Sequence, residues 1–197
     1  GITARSRLGA NTVPRMESEE KFMDFHATCY ETSLIIDDFR LPGYFNWGKT
    51  TPAACRTEAR LLTDGTMLYI RLTAENPSPE LMEKSAPDLW PSGDHIELRF
   101  ENRGKTFCFA VDGNGNRYDS LNSDRKWESG WQVLTARSND GWTALLAIPL
   151  KALGVEPGNR NTFPSLLLIR RSHDGTRVQE STPKGIFPGQ RQTPLTF

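Results

Sequence analysis

The chain has no long apolar run, no excess of either charge, no cysteine pattern that pairs, and no recognisable catalytic motif. Its apolar stretches reach only about five residues, with Leu166–Ile169 typical, whereas a helical span needs roughly 20. That excludes a membrane-spanning helix. The 24 Lys and Arg are matched by 24 Asp and Glu, so the clustered basic surface that phosphate contacts require is missing. Nucleic acid is therefore not an expected partner. Cys29, Cys55 and Cys108 cannot all pair, and no CxxC or Cys/His cluster offers a zinc site; His26 and Cys29 supply only half of a tetrahedral set. Gly-x-Ser-x-Gly, His-Glu-x-x-His and phosphate-loop patterns are absent. Asp37 and Asp38 would point to opposite faces of a strand. Glu97 and Glu101 share a face but lie about 13 Å apart in an extended strand, beyond the roughly 5–9.5 Å of glycosidase carboxylate pairs. A non-enzyme is expected.

The chain is rich in turn formers and aromatics: 13 Pro, 16 Gly and 10% aromatic residues among 197. This composition favours short strands joined by turns. Residues 1–30 read as an N-terminal arm or linker, with Ser18 placed to cap one or two helical turns. From residue 31 onward the pattern becomes strand-like. Cys55, Thr57, Ala59 and Leu61 alternate with Arg56, Glu58 and Arg60, and Asp64-Gly65 marks a hairpin turn into Met67–Ala74. His95–Glu101 places Ile96, Leu98 and Phe100 inward, with His95, Glu97 and Arg99 on the polar, exposed face. Its partner turns Phe107, Phe109 and Val111 inward and ends at a turn, Asp112-Gly-Asn-Gly-Asn. Further strands are predicted at Trp131–Arg137, Trp142–Ile148, Leu166–Arg170 and Pro194–Phe197, with a helical turn at Pro149–Leu153. Eight or more strands with no βαβ rhythm predict an all-β fold, an antiparallel β-sandwich over residues 31–197. Trp142, which opens a core strand, is expected to be buried.

Four stretches in this order carry a resemblance: Ala59–Ile70 with its Asp-Gly-Thr-Met-Leu-Tyr turn, Leu89–Phe100 with Leu-Trp-Pro-Ser-Gly-Asp-His-Ile-Glu, Phe109–Asp119, and Gly141–Gly154 with Gly-Trp-Thr-Ala-Leu-Leu-Ala-Ile-Pro. The order resembles that of the family 9 carbohydrate-binding modules within the DOMON-like sandwich group, over about residues 34–197. The resemblance implies a non-catalytic module that holds a mono- or oligosaccharide between two aromatic side chains. A pyranose ring stacks its C–H face on an aromatic ring while its hydroxyls need paired donors and acceptors. By match to the family, Trp90 is the first aromatic and Glu97 a sugar-contacting carboxylate. Phe187 stands nearest to the second aromatic, with Asp112 and Arg170 at the polar wall. The family's arginine beside that glutamate is Ala110 here. Trp47 and Trp127 are the next aromatics in line.

The resemblance also implies export to an extracellular or periplasmic space and attachment to a glycan-active enzyme; the start at Gly1 rather than Met reads as a trimmed chain. No cofactor is expected beyond structural calcium, which relatives carry. Asp112, Asn114 and Asn116 alternate like the first half of a calcium loop, although Arg117 and Ser123 break the full pattern. Two other readings stay open. A sandwich of this kind can serve as a structural or protein-interaction domain, with Trp90 and Phe187 touching a neighbouring domain. It can also ligate haem, for which Met67, His95 and His173 are available.

Overall fold

Alternation at period two becomes strands wherever one face can be buried, and the computed structural model contains 13 of them among the described residues, which are 12–15, 33–41, 51–78, 90–91, 93–156, 164–173, 178–183 and 193–195. They are β1 (Leu34–Ile36), β2 (Phe39–Leu41), β3 (Thr51–Pro52), β4 (Thr57–Thr63), β5 (Met67–Glu75), β6 (His95–Asn102), β7 (Lys105–Asp112), β8 (Arg117–Leu121), β9 (Gln132–Ser138), β10 (Gly141–Pro149), β11 (Ser165–His173), β12 (Val178–Pro183) and β13 (Thr193–Pro194). One 3-10 turn, Leu150–Leu153, follows β10. No helix among these residues is long and apolar enough to cross a membrane.

The strands form two antiparallel sheets. One has the order β1-β4-β5-β10-β9; the other runs β3-β2-β12-β11-β6-β7-β8, with β13 also pairing β11. The core lies between them. Ala59 and Leu61 of β4, Leu68, Ile70 and Leu72 of β5, and Leu146 and Ile148 of β10 face Ile96, Leu98 and Phe100 of β6 and Phe109 and Val111 of β7. These side chains are almost wholly buried. Each large one contributes roughly 1.5–3 kcal/mol by leaving water. The rings of Phe100 and Phe109 meet edge-on at 5.8 Å, and Trp142 is buried in the same core as expected.

Turn chemistry matches the sequence reading. Between β4 and β5, Asp64 Oδ1 accepts the Thr66 and Met67 N–H groups at 2.9 and 2.8 Å, and its other oxygen accepts the Tyr69 hydroxyl at 2.9 Å. Burial pushes the Tyr69 phenol up to about 12, and the neighbouring carboxylate adds to the shift. Gly65, at φ 92, supplies the left-handed residue that this hairpin needs.

Five strands were not foreseen; β1, β2 and β3 are only two or three residues long, too short to show a period. β8 reads Arg-Tyr-Asp-Ser-Leu and β12 Val-Gln-Glu-Ser-Thr-Pro, too polar to show an apolar face. β8 is an edge strand, where a polar sequence guards against pairing with other chains. The expected N-terminal arm also differs at residues 12–15. Val13 is buried in the core, and the Pro14 carbonyl accepts the Thr63 N–H at 3.0 Å. A four-residue contact is too short to leave a periodic signal.

Candidate functional site

Strand parity sets the site. Along β6, Ile96, Leu98 and Phe100 enter the core, which places His95, Glu97, Arg99 and Glu101 on the outer face of the larger sheet. In register, Glu97 lies between Ala110 of β7 and Ile169 of β11, while Arg99 lies between Cys108 and Leu167. Tyr118 of β8 stands opposite Ala110 and completes the row. Ala110, Leu167 and Ile169 are buried, so the floor of this face is apolar with one carboxylate set into it.

Glu97 is 6% exposed, which a bare carboxylate would not tolerate. Arg99, next along the same face, donates Nε–H to Glu97 Oε1 and forms an ion pair with it. Burial works against the Arg99 charge, but the Glu97 carboxylate outweighs it and raises the guanidinium pKa. The Cys108 thiol lies 3.7 Å from the same oxygen, and burial together with the Glu97 charge pushes its pKa up to about 12. Cys108 is thus a packed thiol rather than a nucleophile. Arg99, with its side chain 46% exposed, carries the pair toward solvent.

Trp90 marks one end of this face. At 36% exposure it is one of few large apolar side chains in the open among the described residues. Its ring meets His95 edge-on at 5.6 Å and Tyr118 at 5.1 Å. Arg125 in turn lies over the Tyr118 ring at 5.4 Å. The indole is braced by two rings and still presents surface to solvent, which is what a stacking platform requires. His95, expected to be exposed, is 3% exposed beneath Trp90, with Nδ1 2.7 Å from the Gly93 carbonyl oxygen. Alternating charge along β6 hid this, because the cover comes from Trp90, outside the strand.

Burial lowers the His95 pKa; the Gly93 carbonyl, Glu97 and Asp94 oppose that shift, and Arg171 adds to it. A histidine held neutral in the folded state resists protonation that the unfolded chain accepts. Stability is therefore expected to fall as pH drops through 6.5 toward the lower folded-state value, and to recover above it. Melting curves between pH 7.5 and about 5 should show this decline in the parent chain and a flatter profile in His95→Gln. Equal profiles would mean that His95 titrates normally.

Arg170 corrects the sequence reading. It stands opposite Ile96, on the core-facing side of β11, with its guanidinium between the sheets and not on the face of Glu97. Nε and Nη2 donate to the two Asp94 oxygens at 2.6 and 2.8 Å, Nη1 to Thr57 Oγ1 at 3.1 Å, and Nη2 to the Glu75 carbonyl at 3.0 Å. The guanidinium also faces the Trp142 ring at 5.7 Å. Asp94 further accepts Asn76 Nδ2 at 2.6 Å. This network ties the start of β6 to β4 and β5 of the other sheet. It positions the segment that carries Trp90 and His95; it is not a wall of the face itself.

Asp112 lies on the outer face opposite His95, but its carboxylate turns into the β7–β8 hairpin. It accepts the Asn114 and Asn116 N–H groups at 2.9 and 3.0 Å and Asn116 Nδ2 at 2.8 Å, while Asn114 Oδ1 accepts from Arg137 at 2.9 Å. The three residues proposed for calcium are thus knit into a turn. Asp112→Ala should cost about 1–2 kcal/mol, read as a lower urea midpoint with unchanged m; an unchanged midpoint would show that the turn holds without it. Among the described residues no group of three His, Cys, Asp or Glu side chains could hold a metal. Phe187, Trp47, His26 and Cys29, together with the His173 side chain, lie outside the described residues. For the haem reading, Met67 packs in a cluster with Leu62, Tyr69, Leu145 and Ala147 on the outer face of the smaller sheet, far from His95 on the larger one.

Neither a family model nor a curated protein sequence matches the chain. Six solved chains do match it in structure. One is a family 9 carbohydrate-binding module from Caldicellulosiruptor kristjanssonii in complex with cellotriose, at TM-score 0.58 and 12% identity over 88% of this chain and 83% of that one. Another is a candidate carbohydrate-binding protein from Bacteroides uniformis, at TM-score 0.58 and 12% identity over 94% and 97%. A third is a Caldicellulosiruptor kristjanssonii family 9 module with glucose, at TM-score 0.53 and 11% identity over 88% and 84%. The chain has the β-sandwich fold of these modules.

Proposed function

We propose that this chain is a non-catalytic carbohydrate-binding module that holds a mono- or oligosaccharide on the outer face of the larger sheet. The observation that carries the reading is the braced, exposed Trp90 standing beside a recessed Glu97–Arg99 pair on an otherwise apolar floor. The indole offers a stacking surface for the C–H face of a pyranose. Glu97 accepts from sugar hydroxyls and Arg99 donates to them, both charge-assisted and therefore stronger than neutral contacts. Arg99 supplies on β6 the guanidinium that the resemblance would put at position 110. Phe187 is proposed as the second aromatic. The solved chains of similar fold, two of them with bound glucose or cellotriose, support the reading.

As part of the same proposal, the module is exported and belongs to a larger glycan-active protein, to which it supplies affinity and not chemistry. A glycan array probed with the purified chain tests the function. Retention on neutral glycans is expected. A blank array accompanied by a Soret band in the absorbance spectrum would favour haem instead.

A further inference from the structure

Among the described residues β1 and β9 bound the smaller sheet, and β3 and β8 the larger. Three of these edges are short or covered. β1 has three residues, and β3 has two and ends in proline, which cannot donate to a neighbour. β8 is shielded by the chain that follows it. Leu121 and Asp124 exchange backbone hydrogen bonds at 3.2 and 2.8 Å, and the Ser129 N–H donates to Asp119 at 2.9 Å. β9 is different. It runs for seven residues, pairs with β10 on one side, and has no strand on the other among the described residues.

From Gln132 to Ala136 β9 carries no charge, and these residues make no backbone bond outside the β10 ladder among the described residues. Outward N–H and C=O groups on such an edge are ready to take another strand. The register with β10 fixes where the side chains go. Val133 and Thr135 stand opposite Leu146 and Ala144 on the core side, so Gln132, Leu134 and Ala136 lie on the outer face. Leu134 is 43% exposed, an open leucine opposite Leu145 at the rim of the apolar cluster on that face.

We infer that β9 is a dimer interface: two copies join these edges antiparallel about a two-fold axis near Leu134, so that two five-stranded sheets become one. The strand is self-complementary in that arrangement. Leu134 meets Leu134 of the second copy, and Val133 meets Thr135, a pair of branched side chains suited to cross-strand packing. The two Arg137 side chains end roughly 20 Å apart, each toward the end where the exposed Glu128 precedes β9 in the other copy. A parallel, in-register copy would instead set Arg137 beside Arg137. A patch paired with itself closes after two copies and does not propagate. One strand pair is small for an interface, so the dissociation constant is expected between about 1 μM and 1 mM. The pairing rests on the edge alone; its consequence rests on the carbohydrate-binding reading. An axis perpendicular to the shared sheet turns both larger sheets to the same side, so both Trp90 faces can hold one glycan surface together.

Sedimentation of the intact chain from about 10 μM to about 1 mM reads the assembly directly. The parent is expected to pass from monomer to dimer over that range. Leu134→Lys should weaken the dimer about tenfold or more, because two leucines stay in water and two like charges meet. Its Tm should match the parent's, since the side chain is exposed. Ala136→Lys, exposed on the same face, is the second variant, and Val178→Lys, 54% exposed on β12, should dimerise like the parent. Cellotriose, free and coupled densely to beads, reads the consequence. Leu134→Lys should bind free cellotriose as the parent does and leave the beads faster. A parent still monomeric at about 1 mM, a dimer that both Leu134→Lys and Ala136→Lys leave intact, or one broken equally by Val178→Lys would overturn the inference. A dimer lost in Leu134→Lys from a chain that binds no cellotriose would remove the sugar reading and leave the interface standing.

Discussion

Arg170→Met should lose about 3–5 kcal/mol of folding stability, because it strands a buried charge rather than merely deleting a contact. Arg170 and Asp94 have side chains 0% and 1% exposed and share two hydrogen bonds. Without the guanidinium, Asp94 keeps only the Asn76 amide of these three donors, and Thr57 and the Glu75 carbonyl lose theirs. The loss is a large share of the roughly 5–15 kcal/mol that holds an ordinary domain together. Urea denaturation should show the lowered midpoint. The paired change Arg170→Met/Asp94→Leu should recover part of it, since removing both charges removes the stranded one. A single variant as stable as the parent would mean that Asp94 is reached by water and the network is dispensable.

The second large effect is on binding. Trp90→Ala should remove roughly 1–3 kcal/mol of glycan affinity, taking the transfer value for one large apolar side chain. That is about five- to 150-fold. Desolvating sugar hydroxyls offsets much of the stacking gain, so a weak ligand would drop below detection. Tm should change little, because Trp90 is 36% exposed and outside the main core. Affinity electrophoresis on the glycan selected by the array reads the first outcome and a thermal melt the second. An unfolded variant would make Trp90 a core residue, and undiminished retention would move the aromatic platform elsewhere in the chain.

The sandwich was legible because burial on one face writes period-two alternation into β4, β5, β6, β7 and β10. The same parity put Glu97 on the outer face. It was silent where strands are short or polar, as in β1, β2, β8 and β12, and it could not see covers supplied by distant segments. His95 and Glu97 both sit on the expected face, yet both are buried, one beneath Trp90 and the other beside Arg99. Tyr118 sits in an unpredicted strand, so its role in bracing Trp90 had no periodic signal. Arg170 misled because its match to a polar family position took no account of parity: standing opposite Ile96, it must face the core. Asp112 kept the right face but spent its oxygens on the turn formed by its own neighbours.

The central claim is that a neutral sugar sits on Trp90 above the Glu97–Arg99 pair. The most direct measurement is a nitrogen-15 correlation spectrum of the intact chain titrated with the array-selected neutral glycan. The five tryptophan indole signals can be assigned by single substitutions. The account predicts that the Trp90 indole and the backbone amides of Glu97, Ala110 and Tyr118 shift together with one dissociation constant, while Trp127, Trp131 and Trp142 stay in place. Shifts centred on Trp127, or a saturating titration that leaves Trp90 unmoved, would contradict it.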